Sequence, residues 1–574
     1  MNKSAVLHIP MSQYAYGTDE NHVTIRIRTG RDDIRACTLY YGDRACRRTP
    51  VIFTEKKMEL TAQTVLFDYY EAELENSYKR LCYYFELDDG IQKVLYYGDQ
   101  FADGRVDDRS EYYQLPFHHR ADIVNPPGWA QDAVVYNIFA DSFATGKRYI
   151  SGVGEEKEVS GTVCRGKRGG TIKGILENVD YLAELGVNTV YLNPIFTAGE
   201  YHKYDLIDYF HIDPCFGTDE DFGRLVERCH ENGIRVIIDG VFNHCGWRFF
   251  AFEDVVRNGE RSRYKDWFYE LKFPVVRPAD PETYPDYACF GYERMMPKLN
   301  TANPEVEEYF CRVGRYWVEK FCIDGWRLDV ASEVNDGFWR KFWREVKAAN
   351  PQAVLIGEVW ESANHWLEGG IFDSAMNYDF RKHCRRFFGN ASIDAMEFDS
   401  RATDMRMRYR SQTCFAQLNV LDSHDVSRFL SVCENDRKRY KLAVIFQMTF
   451  PGMPSIFYGD EAGLTGVEED EYRQPMNWGE TDGLFFFFQK LIALRKKEEV
   501  LRQGKFRTRS ATAGSRFYCY ERYCGTAGIR VMLNMEAAPV APGKELCAGE
   551  NLMSEGFDGK VLEQKGYVLL RFEG

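Results

Sequence analysis

The sequence predicts a multidomain α/β protein, a (β/α)8 barrel with a β-sandwich module at each end. Eight short apolar runs alternate with amphipathic helical stretches between about residues 123 and 500. β-type runs broken by Gly, Asp and Asn turns fill residues 1–122, with no convincing helix among them. β-type runs return over 501–574.

In the first module the expected strands are HVTIRIRT (22–29), CTLYYGD (37–43), LCYYFELDD (81–89) and KVLYYGD (93–99). The pattern changes at Pro126-Pro127-Gly128. The expected barrel strands are 133–139, 187–193, 234–239, 324–330, 353–358, 371–377, 415–422 and 455–460. Ile172, Ile175, Val179, Leu182 and Leu185 hold a helical spacing, as do Phe222, Leu225, Val226 and Cys229, closed by Gly233. Another helix opens at Asn303-Pro304, a cap followed by Pro at the first helical position. Residues 245–300 break the rhythm with several prolines and aromatics, so a small inserted domain is expected after the third strand. SRFYCYER, GIRVMLNM, GKVLEQ and YVLLRFE build the last module.

Bulk properties exclude several functions. The net charge of −14 argues against nucleic acid or an anionic membrane as partner. No apolar run reaches the length of a membrane span, and the first residues lack the apolar core of a signal peptide. Sixteen cysteines are scattered singly, without CxxC, which fits reduced thiols and a cytoplasmic protein.

The chemistry lies at strand ends. Asp239 ends IRVIID, Asp329 lies in GWRLDV, Glu358 ends AVLIGE, and Asp425 follows Ser423-His424. A lone Asp in such a place is usually a turn or cap. Several acids in order on successive strands are suited to glycoside cleavage, which uses paired carboxylates. Asp329 and Glu358 end adjacent strands and can flank one bond. Arg327 is two residues before Asp329, on the same strand face. It is expected to lower the Asp329 pKa and keep the nucleophile ionised. The apolar run before Glu358 is expected to raise its pKa, as an acid catalyst requires. Asp425 is expected to grip hydroxyls of a distorted ring. His244 and His424 are expected to donate to hydroxyls, and Tyr204 to stack on the sugar. Phe290, Tyr292, Trp360 and Trp366 could stack or simply pack.

These strings resemble the four core motifs of the α-amylase family, glycoside hydrolase family 13. DGVFNH supplies Asp239, Asn243 and His244; GWRLDVASE supplies Arg327, Asp329 and Glu333; GEVW supplies Glu358; SHD supplies His424 and Asp425. The resemblance implies nucleophile, acid/base and transition-state stabiliser for Asp329, Glu358 and Asp425. MPKLN (296–300), YLNPIF (191–196), DVSRFL (425–430) and YRQPMNW (472–478) resemble the neopullulanase, cyclomaltodextrinase and maltogenic amylase group. That group implies an α-glucan substrate, a starch-binding-type first module and a homodimer formed through it. It also implies calcium after the first barrel strand. Here FADSFATGKRYISGVG lacks the Asn/Asp ligands a hard cation wants, and only Asn243 offers a possible ligand elsewhere. No cofactor is expected. Two rivals stay open: a glucanotransferase sharing the same intermediate, and a non-catalytic glucan-binding protein.

Overall fold

The computed structural model describes residues 1–98, 100–159, 161–479 and 483–573. At its centre eight parallel strands close into a barrel, with the first paired to both the second and the eighth. They are Val135–Ile138, Thr189–Leu192, Arg235–Gly240, Gly325–Leu328, Val354–Gly357, Ser374–Asn377, Leu418–Val420 and Met453–Phe457. All eight lie within or overlap the expected runs. Nearly every residue in them is buried, since barrel strands have side chains inside and helices outside.

The helices form where the apolar spacing places them. Pro304–Phe321 is capped by Asn303, whose side chain accepts the amides of Glu305 and Val306. It buries Val306, Phe310, Val313, Trp317 and Val318 against the barrel. Each such side chain contributes about 1.5–3 kcal/mol. Asp219–Glu231 opens with a reciprocal Thr218–Asp221 capping box and buries the four residues expected of it.

The first module is a sandwich of a four-stranded and a six-stranded antiparallel sheet. The four expected runs lie at 22–30, 36–43, 81–88 and 93–97. Asp99, at the end of the last run, lies outside the described residues. The module is tied to the barrel by Arg26, whose Nη1 donates to the Met407 carbonyl at 2.9 Å, and by the Tyr16 hydroxyl, which accepts the Ser411 amide at 3.1 Å.

The last module is one five-stranded antiparallel sheet, Lys505–Ala511, Phe517–Cys524, Ala527–Asn534, Glu550–Phe557 and Leu562–Phe572. GKVLEQ and YVLLRFE contribute to a single long strand. Where a two-sheet sandwich was expected, the barrel supplies the second layer. Tyr518, Tyr520, Val531 and Leu569 join the barrel's core, whereas Cys519, Met532 and Val568 face the other way. The excursion after the third strand carries the helix Phe250–Asn258 and is otherwise largely irregular. Among the described residues no helix is long and apolar enough to cross a membrane.

Candidate active site

The ends of the third, fourth, fifth and seventh strands converge on one guanidinium. Arg327 is fully buried on the fourth strand. Its Nη1 donates to both Asp239 oxygens at 3.0 Å and to Asp329 Oδ1 at 2.8 Å. Its Nη2 lies 3.0 Å from Glu358 Oε2 and 3.8 Å from Asp425 Oδ2. Four carboxylates thus share one cation. Asp329, Glu358 and Asp425 also line a single cavity of about 550 Å³.

Each acid has a different environment. Asp329 Oδ2 is buried and has no hydrogen-bond partner. Glu358 Oε2 accepts the Val330 amide at 2.7 Å, and Oε1 accepts the Trp360 indole N–H at 3.0 Å. Val330 sits at φ 45°, in the left-handed region that a β-branched residue rarely visits. Asp425 Oδ2 lies 3.0 Å from His424 Nε2, and Arg473 Nη2 lies 3.7 Å from its other oxygen.

The electrostatics separate the three. Burial pushes Asp329 well above the usual carboxylate range; Arg327 opposes this, but Glu358, Asp239 and Asp425 add to it. The expectation that Arg327 keeps Asp329 below its ordinary pKa is therefore corrected: one guanidinium cannot offset burial plus three like charges. Burial also raises Glu358, against the pull of Arg327. The Glu358 charge adds directly to the rise of Asp329, so a proton on Glu358 relieves it. Burial pushes Asp425 up as well, but His424, Arg327 and Arg473 outweigh it and hold it at about 2.

A second layer fixes these groups. Asn193 Oδ1 accepts from Asn137, so its amide nitrogen donates to His424 Nδ1 at 2.8 Å. The His424 Nε2 proton then faces Asp425 and the Tyr204 hydroxyl. Tyr204 stacks on His424 and donates to Asp239 at 3.2 Å. Tyr191 donates to the same Asp239 oxygen at 2.7 Å. His244 stacks on Phe290, and its Nε2 is buried without a partner. Burial and Lys298 lower His244 to about 3, so it is neutral at working pH.

Most of the residues expected from sequence meet here. Tyr204, His244, Phe290, Glu333 and Trp360 line the cavity with the three acids, while Asp239, Arg327 and His424 lie fully buried among them. Trp360 stacks on Tyr378 at 3.9 Å and keeps half its surface exposed. Tyr292 does not line the cavity. Gly291, at φ 54°, precedes it, and Tyr292 is 87% exposed against Tyr284. Trp366 packs on the core. His202, Met296, Glu469 and Arg473 line the cavity without having been singled out. Arg473 stood in YRQPMNW, but nothing in that string says that its Nε reaches the His424 carbonyl at 2.7 Å.

Asp141 spends both oxygens on the amides of Lys167 and Arg168. Asn243 Oδ1 accepts from the Lys298 ammonium, so a cation already occupies that side of it.

Comparison with known proteins shows the family and the fold. Residues 137–483 match the family model described as alpha amylase, catalytic domain, and residues 1–119 match alpha amylase, N-terminal ig-like domain. The chain is 40% identical over 590 residues to a cyclomaltodextrinase of Geobacillus thermopakistaniensis (strain MAS1), covering 100% of both chains. It is 40% identical over 545 residues to neopullulanase 2 of Thermoactinomyces vulgaris, covering 92% of this chain and 90% of that one. A solved cyclomaltodextrinase superposes with a TM-score of 0.88 at 37% identity, over 100% of this chain and 98% of the other.

Proposed function

The chain belongs to the alpha-amylase family of glycoside hydrolases, and from that premise we propose that it cleaves α-1,4-glucosidic bonds with retention. In this reading Asp329 Oδ2 attacks the anomeric carbon while Glu358 gives its proton to the leaving oxygen. The C–O bond to the leaving sugar breaks as the bond to Asp329 forms. Glu358, now ionised, takes a proton from water, which displaces Asp329 and frees the sugar. Asp425, held by the His424 N–H, acts on ring hydroxyls as positive charge develops at the anomeric carbon.

The observation that carries the proposal is the bare Asp329 oxygen beside Glu358, both bound to Arg327. An oxygen with no donor keeps its lone pairs for a nucleophilic role. Burial raises the Glu358 carboxyl, and a proton on Glu358 is what the first step consumes. No metal takes part in this scheme.

Cyclodextrins and short maltooligosaccharides are the substrates we infer, with pullulan and starch as slower ones, since the relatives named above include a cyclomaltodextrinase and a neopullulanase. A homodimer formed through the first module and a cytoplasmic location belong to the same reading. Sixteen unpaired cysteines fit a reducing compartment. The test is a side-by-side assay of reducing sugar released from β-cyclodextrin, pullulan and soluble starch. Faster release from β-cyclodextrin is expected. Faster release from starch than from β-cyclodextrin would contradict the substrate assignment.

A further inference from the structure

A second cavity, of about 520 Å³, lies where the three modules meet and shares no lining residue with the cleft. The first module brings Arg31, the barrel helix Ala395–Met407 brings Arg406, and the strand Lys505–Ala511 brings Arg507 and Arg509. Four guanidinium groups from three modules thus line one space. The carboxylates lining it are Asp32 and Asp399. Burial raises Asp399, which accepts from Thr508 and Tyr518 hydroxyls on one oxygen.

The four cations are not equivalent. Arg31 lies 3.0 Å from Asp32. Arg507 pairs with the buried Glu521, and Arg509 lies 2.6 Å from Glu545. Arg406 has no carboxylate within ion-pair distance among the described residues. It rests on the Phe506 ring at 4.6 Å, and its Nε is buried without a hydrogen-bond partner. Burial works against the charge of Arg406 while Asp399 and Glu71 act on it only from beyond ion-pair distance, so an anion that enters would stabilise the guanidinium. Hydroxyls of Ser400 and Thr403 lie on the same helix, within the same lining.

We propose that this junction binds a phosphate group, free or esterified to a sugar, held by Arg406 with support from Arg509 and Arg31. Guanidinium forks match phosphate oxygens in geometry and in charge. Leu60 and Val65, on the rim, are nearly half exposed and offer an apolar surface for the carbon skeleton of a phosphate ester. Because each module supplies a cation, the bound group ties the modules together. Ligand binding then raises the melting temperature of the whole chain by mass action. This site is independent of the assignment of the cleft.

The test is calorimetric titration of the full chain with inorganic phosphate and, separately, with glucose 1-phosphate, with glycerol as the uncharged control. Saturable binding of one equivalent per chain is expected for at least one phosphate probe, weakening as salt is raised. Tighter binding of glucose 1-phosphate assigns a phosphate ester, and equal binding assigns the free phosphate group. Arg406→Met keeps the stem over Phe506 and should weaken binding by about tenfold or more. Arg509→Gln, at a partly exposed position outside the core, should weaken it several-fold and serves if Arg406→Met does not fold. No saturable binding of either phosphate probe, or unchanged affinity in the variants that fold, overturns the proposal.

Discussion

At the scale of single residues, Arg327 distributes one positive charge among four acids. Asp329→Asn removes the nucleophile and one like charge together. Turnover should fall at least about a thousandfold. Burial disfavours the ionised form of Asp329, so the neutral amide should also raise the melting temperature, by about 2–4 °C. Calorimetry on the variant checks this, and a lower melting point would contradict the crowding of charge described above. Asp425 has the opposite sign. Its pKa drops from an ordinary 3.8 to about 2, so its ionised form stabilises the fold above the higher value. That stability is lost as pH falls through the lower one. Asp425→Asn should therefore flatten the loss of stability between about pH 4 and pH 2, read by urea unfolding across that range. The motif residues at strand ends were legible because their sequence order mirrors barrel order. The partners of those residues were not. Asn193, Tyr191 and Arg473 act through contacts spanning 231, 48 and 49 positions, which no local pattern records.

Among the elements, the eight barrel strands could be read because each is short, apolar and followed by a helical period. Several strands of the first module could not. Thr54–Lys57 is exposed throughout and Glu59–Gln63 buries only Ala62; with no buried alternation, their sequences read as loop. The insertion was recognisable only as a break in rhythm. Its hold on the cleft comes from Lys298, which donates to Asn243 and lies 3.1 Å from Glu333 Oε2. That lysine links the end of the insertion to the exits of the third and fourth strands. Lys298→Met should loosen the cavity wall carrying Phe290 without touching the acids. KM should rise by about three- to tenfold with kcat nearly unchanged. Steady-state kinetics on β-cyclodextrin decide it, and a loss confined to kcat would place Lys298 in the chemistry instead.

For the whole molecule, a barrel flanked by two β modules followed from the order of strand-like and helix-like runs, but how the modules dock did not. The last module was expected to be a closed sandwich and instead completes its core against the barrel. Tyr518 and Tyr520 alternate with Cys519, and sequence cannot tell which neighbour covers the Tyr face. The first module's docking leaves its further partners open to test. Light scattering at micromolar concentration should report about twice the 66.8 kDa chain mass, and a monomer would count against the dimer. The central claim joins all three scales: the fold delivers Asp329 and Glu358 to one anomeric carbon, for attack and for proton transfer. It is tested most directly by trapping the intermediate on the Glu358→Gln variant with an activated α-maltosyl fluoride, followed by peptide mass spectrometry. A sugar ester on the peptide that carries Asp329 is the expected result. A sugar attached to any other carboxylate, or a first product of inverted anomeric configuration from the unmodified enzyme, would contradict it.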